Sequence, residues 1–291
     1  MRKMRLCGLL AAFSAMLLLT ACGKDAAKQT QEPAETATPE PTKAVTQDAE
    51  PTGNVTPTGE AAPTGEPTPA NEPIPTEDPD ENGGKTMSEN AKLLYQGHGS
   101  VRITTPEGKT IYVDPFMGDG YDVPADLILI THSHYDHTQT QLITSKNADC
   151  KTVTWAEALA GGTHQNFDFG FVKVEAVEAG YNKNHSVKDC VGYVLTFSDG
   201  VTLYLTGDTS TTQQMPALAD RHLDYAFFCC DGVYNMGMEE AIACAKTVGA
   251  KHSIPYHMVP AQQSGFDRTV AEKFDVPGRI IVAPGEVLTL E

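Results

Sequence analysis

The 291-residue sequence predicts an α/β fold, a layered domain with helices outside its sheets, joined to an N-terminal stretch that lacks the composition of a folded core. Three observations carry this: an abrupt change of composition at residue 91, short apolar runs with turn-rich borders after it, and helical stretches set between those runs. Strands are predicted at residues 92–95, 100–104, 110–113 and 127–131, from their Val, Ile, Leu and Tyr content. Further strands are predicted at 151–154, 172–176, 192–197, 202–206, 225–230, 253–256 and 279–282. Residues 238–248 place Ala241, Ile242, Ala245 and Val248 on one helical face and stop at Gly249, a residue suited to the left-handed turn after a helix. A short helix is expected over 139–144, with Thr138 as its N-cap.

Residues 23–90 differ from this domain in kind. They hold four lysines against fourteen acids, eleven of the nineteen prolines, and no Phe, Trp or Tyr. Such a chain cannot bury enough apolar surface to offset its ordering entropy and is expected to be disordered. Pro-Thr-Gly units beginning at Pro51, Pro57 and Pro63 recur every six residues, too short and too polar for a stacked repeat. Residues 91–291 are enough for one full core. With a formal charge of −17 and no basic run, the chain lacks the footprint of a nucleic-acid partner.

The first twenty-two residues read as an address. Arg2, Lys3 and Arg5 precede an apolar run from Leu6 to Leu19, too short to span a bilayer but right for a secretory signal. Its end, Leu19-Thr20-Ala21-Cys22, resembles the bacterial lipoprotein cleavage box. That resemblance implies a lipidated Cys22 at the start of the mature chain and a protein held on the extracytoplasmic face of the cell membrane, with 23–90 as its tether.

The chemistry is concentrated in Thr131-His132-Ser133-His134-Tyr135-Asp136-His137, where a buried-type strand runs into four candidate ligands. A strand end is a rigid base from which a short loop can aim imidazoles at one point, and His with carboxylate suits Zn, Mn or Fe. This stretch resembles the metallo-β-lactamase superfamily, and the resemblance covers residues 91–291 with the motifs in order. It implies a four-layer αββα sandwich. It also implies that His132, His134 and His185 hold one ion, that Asp136, His137 and His257 hold a second, and that Asp208 in Leu205-Thr206-Gly207-Asp208-Thr209 bridges the two. Finer features resemble the compact branch of metal-dependent hydrolases related to the L-ascorbate-6-phosphate lactonases: Gly97-His98-Gly99-Ser100, Val113-Asp114-Pro115-Phe116, and Met236-Gly237-Met238-Glu239-Glu240-Ala241. In that branch Asp114 would accept the second ring N–H of a ligand histidine. Met258 stands where the branch usually has Tyr, which puts that part of the pocket wall in question.

The implied activity is hydrolysis of a small ester, lactone, amide or phosphoester by a hydroxide shared between two divalent ions, zinc first, with manganese or iron as alternatives. Asp136 and Asp208 are the residues expected to take part in catalysis. No Gly-x-Ser-x-Gly elbow supplies a side-chain nucleophile. Two other readings stay open at this level: an iron-dependent oxidoreductase of the same fold, and a non-catalytic lipoprotein binding a metal or solute. His98 reads equally as a loop hydrogen-bonder or a site residue, Tyr135 as a packing residue, and His164, His222 and His252 as surface residues. Cys150, Cys190, Cys229, Cys230 and Cys244 are expected to be buried free thiols.

Overall fold

The computed structural model describes residues 90–260 and 265–291, all within the compact unit Thr76–Glu291. The readings of residues 1–22, of Cys22 and of the tether up to residue 89 fall outside the described residues. Among the described residues no helix is long and apolar enough to cross a membrane.

The strands are β1 (Ala91–Gly97), β2 (Ser100–Thr104), β3 (Thr110–Val113), β4 (Ala125–Leu129), β5 (Lys146–Val153), β6 (Asn166–Asp168), β7 (Val172–Glu178), β8 (Val191–Phe197), β9 (Thr202–Leu205), β10 (Tyr225–Cys229), β11 (His252–Tyr256) and β12 (Val287–Leu290). The helices are α1 (Trp155–Ala158), α2 (Met215–Leu218), α3 (Met238–Val248) and α4 (Arg268–Ala271). Two six-stranded sheets form, in the orders β12-β1-β2-β3-β4-β5 and β11-β10-β9-β8-β7-β6. Each is mixed in the same way: its antiparallel pairings end at a parallel three-strand portion, β3-β4-β5 in one and β9-β10-β11 in the other.

Period-two alternation sends one set of side chains from each sheet into a shared core, Leu93, Ile103, Leu127 and Leu129 from the first and Val174, Tyr193, Leu195 and Phe227 from the second. On the outer face of the first sheet, Ile128 packs in a separate cluster with Tyr112, Tyr121 and Ile143. Both faces of β4 are therefore apolar, which is why it reads as an unbroken hydrophobic run. On the second sheet α3 buries Ala241, Cys244, Ala245 and Val248 and lies against β10. Glu239 and Glu240 in its first turn and Lys246 in its last complement the helix dipole. The helix ends at Gly249 (φ +64°), whose N–H reaches Ala245 O at 2.9 Å. Two sheets flanked by helices make up the αββα order.

Some local expectations are corrected. Residues 139–144 contain a single 3₁₀ turn, Thr140–Leu142, begun by Gln139. Thr138 does not cap it, because its hydroxyl donates to His134 O at 3.1 Å. Residues 279–282 form no strand; one bridge, Ser253 to Arg279, ties them to β11. The expected strand at 151–154 begins five residues earlier, at Lys146.

What matters for chemistry is where strands stop. Asp114 follows β3, His132 to His137 follow β4, Asp208 follows β9, Asp231 follows β10 and His257 follows β11. The carboxyl ends of the parallel portions of both sheets thus open on one crevice, the place where open α/β sheets bind ligands.

Candidate metal centre

The structure brings all seven sequence-expected ligand residues together. His132, His134 and His185 offer donor atoms within 4.8 Å of one another. A second set, also within 4.8 Å, is Asp136, His137, His257 and His98. Asp208 stands at the junction, with Oδ2 at 3.3 Å from His185 Nε2 and 3.3 Å from His257 Nε2, and Oδ1 at 3.4 Å from His137 Nε2. His132 Nε2 is 4.0 Å from Asp208 Oδ2.

The histidines are aimed by their second ring nitrogens. Thr131 donates its hydroxyl to Asp114 Oδ2 (2.7 Å) and faces His132 Nδ1 at 3.0 Å, so the network assigns Nδ1–H to His132 and leaves Nε2 free as a donor of electrons. His185 Nδ1 lies 3.2 Å from Asn182 Oδ1, His137 Nδ1 2.9 Å from Asp114 Oδ2, and His257 Nδ1 3.1 Å from Asp231 Oδ2. His134 is turned the other way, with Nδ1 toward His132 and His185 at 3.0 and 3.2 Å. Asp114 also accepts from Thr131 N at 2.8 Å, locking the start of the motif loop.

Backbone geometry shows what this placement costs. Of the five non-glycine residues with positive φ among the described residues, His98 (+54°), Asp114 (+47°) and His257 (+41°) belong to this site. Left-handed backbone is unfavourable for side chains with a Cβ and persists where surrounding structure enforces it, commonly at functional sites. The turn before β2 also needs a glycine. A Cβ on Gly99 would sit 2.9 Å from His137 Cε1, so only glycine lets this turn lie against the ring.

The chain's own atoms fit a cation here. His137 Nε2, His257 Nε2 and Asp208 Oδ1 are buried and have no hydrogen-bond partner among the described residues. Buried polar atoms are normally paired, and His137, His257 and Asp208 could give these three atoms to a bound divalent ion, which would supply the missing partner. The donor set, imidazole with carboxylate, suits zinc, manganese or iron.

Proton affinities divide the site. Burial drives His132 well below the usual histidine value, with the charge of His137 adding to the effect, and burial also lowers His185. His98 is pushed down to about 4, mostly by burial and then by His257. For His137 and His257 burial acts in the same direction and is the largest single effect, but it is outweighed by Asp208 together with Asp114 at His137 and Asp231 at His257. His137 is raised well above its ordinary value, and His257 is raised to about 9. Asp208 itself is held well below the carboxylate range, since His257 and His137 overcome its burial.

Several functional contacts were not read from sequence. Asp231 is one: its side chain is 0% exposed, Oδ2 meets His257, and Oδ1 accepts the N–H groups of Val233, Tyr234 and Asn235 at 2.7, 2.7 and 3.2 Å. Asn235 Nδ2 donates to both Asp208 Oδ2 (3.0 Å) and Asp231 Oδ2 (2.8 Å). An acid just past the end of the buried strand β10 was the available signal. His98, left between two readings, is buried with Nε2 3.1 Å from Asp136 Oδ2 and its ring 3.6 Å from that of His257. Tyr135, expected to pack, meets Phe116 edge-on with ring centroids 5.6 Å apart but is 57% exposed. It lines a cavity of about 340 Å³ over the ligands, together with Asn184 and Tyr234. Met258 is 2% exposed and does not line the cavity. The five described cysteines are free thiols, and four are buried. His164, His222 and His252 lie outside the ligand sets.

Comparison with known proteins agrees with this geometry. Residues 92–257 match the beta-lactamase superfamily domain. A UPF0173 metal-dependent hydrolase of Geobacillus sp. (strain WCH70) is 31% identical over 230 residues, covering 68% of this chain and 100% of that protein. One from Pyrococcus furiosus is 30% identical over 230 residues, covering 68% of this chain and 99% of that protein. Among solved structures, a putative metal-dependent hydrolase from Parabacteroides distasonis aligns with a TM-score of 0.53 at 27% identity, over 65% of this chain and 91% of that one. The chain belongs to the beta-lactamase superfamily and is a metal-dependent hydrolase of its UPF0173 group.

Proposed function

We propose that this hydrolase works with two divalent ions, one held by His132, His134 and His185, the other by Asp136, His137 and His257, with Asp208 serving both. The observation that carries the reading is the position of Asp208, whose two carboxylate oxygens face donor nitrogens of both clusters at 3.3–3.4 Å. When bound, such a pair of ions supplies Lewis acidity toward a carbonyl or phosphoryl oxygen and acidifies water toward neutral pH. Asp208 and Asp136 are the carboxylates expected to take part in catalysis. Both line the cavity and, as ionised groups, would accept hydrogen bonds from the attacking water and orient it. Asp136 is held ionised, since the His98 hydrogen bond and the charge of His137 outweigh its burial. Asp114, Asn182 and Asp231 fix ring orientation from behind. The ions are zinc in this reading, with manganese or iron as the alternatives the same donor set admits, and the substrate is a small ester, lactone, amide or phosphoester.

The enzyme acts, in this proposal, at the outer face of a bacterial membrane, tethered through a lipid on Cys22 by residues 23–90. The support is the order of Arg2, Lys3 and Arg5, the apolar run, the Leu19-Thr20-Ala21-Cys22 box and the proline-rich acidic stretch. Two experiments test the proposal. Metal content by plasma mass spectrometry, with turnover of an ester, lactone and phosphoester panel, should give two ions per chain and hydrolysis that Asp208→Ala abolishes; one ion per chain, or activity surviving that change, removes the two-ion reading. Labelling cells with an alkyne fatty acid should mark the wild type and not Cys22→Ser; an unlabelled wild type removes the anchor.

A further inference from the structure

The walls of the cavity carry information that the ligands do not. Its non-ligand lining is Tyr135, Tyr234 and Asn184, with no Lys or Arg among the described residues that line it. Lys183, next to Asn184, is exposed and outside the lining. Beneath the cavity, the carboxylates of Asp114, Asp136, Asp208 and Asp231 offset the charge of two divalent ions, so the loaded site is close to neutral before any substrate enters. A phosphoester would add further negative charge with no cationic side chain to receive it, whereas phosphoryl sites normally supply Arg or Lys for that purpose.

The two tyrosines form a built wall. Tyr135 is 57% exposed and Tyr234 43%. Phe116 packs edge-on against the Tyr135 ring, with centroids 5.6 Å apart. The Tyr234 backbone is pinned by Asp231 Oδ1 on its N–H (2.7 Å) and by Asn184 Nδ2 on its carbonyl (3.0 Å). Since Asp231 also holds His257, this wall is registered to the ligand cluster. Rigid aromatic surface at the mouth of a small polar-floored cavity recognises flat apolar groups at low entropic cost.

We infer that the cavity selects uncharged carbonyl substrates, esters, lactones or amides, carrying a flat apolar group that packs on Tyr135 and Tyr234, and that it disfavours phosphoesters. This rests on the two-ion reading of the site, so the test reads binding rather than turnover. Acetohydroxamate, 4-methylbenzohydroxamate and 4-carboxybenzohydroxamate share one metal-binding head and differ only in the group offered to the wall. Calorimetry on the zinc-loaded full chain should show the 4-methylbenzo compound binding about tenfold tighter than the aceto compound, in line with aromatic packing energies, and the 4-carboxybenzo compound binding several-fold weaker than its methyl counterpart. In the combined Tyr135→Ala and Tyr234→Ala variant the aromatic preference should collapse at unchanged zinc content. Equal affinity for the methylbenzo and aceto compounds, a carboxylate that binds as well as the methyl group, a preference that survives both alanines, or no binding by any of the three overturns the inference. The expected ranking in a protein that turns over no substrate keeps this inference and removes the two-ion hydrolytic mechanism instead.

Discussion

The two halves of the ligand cluster are built from the same residue type and backed differently. Around His132, His134 and His185 the supporting groups that touch the rings are neutral oxygens, Thr131 Oγ1 and Asn182 Oδ1. Around His137 and His257 they are carboxylates, Asp114 and Asp231, with Asp136 alongside. Burial alone would leave His132, His185, His137 and His257 neutral. Near Asp208 the carboxylates reverse this for His137 and His257, while His132 and His185 stay lowered. In the two-ion reading, His132 and His185 are thus ready for an ion at neutral pH, while His137 and His257 carry protons that an ion must displace.

The change that breaks this comparison most completely is Asp208→Ala, which removes the one side chain common to both halves. Hydrolysis should fall about a thousandfold or more, as when a central charge-stabilising group is lost, and metal content should drop in both halves. Retention of two ions per chain in that variant, measured by plasma mass spectrometry, would contradict the shared role. A smaller, one-sided effect is expected from Asp231→Ala. Loss of a carboxylate that orients a ligand histidine typically weakens metal binding by about 10- to 100-fold, here for the second ion alone. Asn182→Ala should weaken only the first ion, and by less, because a neutral acceptor is lost. Competition with a zinc-selective dye resolves the two affinities, and equal effects of the two variants would erase the distinction between the halves.

The smallest of these effects concerns His98. Its Nε2 faces Asp136 Oδ2, whereas His137 and His257 each turn Nε2 toward Asp208 and Nδ1 toward a backing carboxylate. That fits a residue donating to Asp136 better than one ligating an ion. His98→Phe, which keeps the ring and removes the donor, should loosen the second ion several-fold. His98→Gln, which keeps an N–H, should recover part of it. If phenylalanine binds both ions as the wild type does, His98 has no positioning role.

Much of this site was legible in the sequence because its signals are local. His132, His134, Asp136 and His137 sit in six consecutive residues after an apolar strand, and Asp208 and His257 also follow strand ends. β2, β3 and α3 have the expected bounds for the same reason, since alternation or a helical stripe is contained within each segment. What stayed hidden depends on contacts across the fold. Asp231 becomes meaningful only when β10 lies beside β11 and brings it to His257. Tyr234 becomes a wall only when Asn184, fifty residues earlier, reaches its carbonyl. β12 is four residues long and pairs with β1 at the opposite end of the domain, Ala91 opposite Leu290, so no neighbouring turn announces it. Residues 279–282 look like a strand from their Ile-Ile-Val content, yet only Arg279 bridges to β11.

The different proton loads of the two halves are read by a zinc titration of the chelator-stripped protein between pH 6.5 and 8.5, in buffers of different ionisation enthalpy. His257, raised to about 9 in the ion-free state, holds a proton below that pH, and each proton displaced costs about tenfold in affinity per pH unit of acidification. Two binding steps are expected, a tighter one nearly independent of pH and a weaker one that releases protons and strengthens as pH rises. A single step, or two steps with the same pH slope, would contradict that expectation.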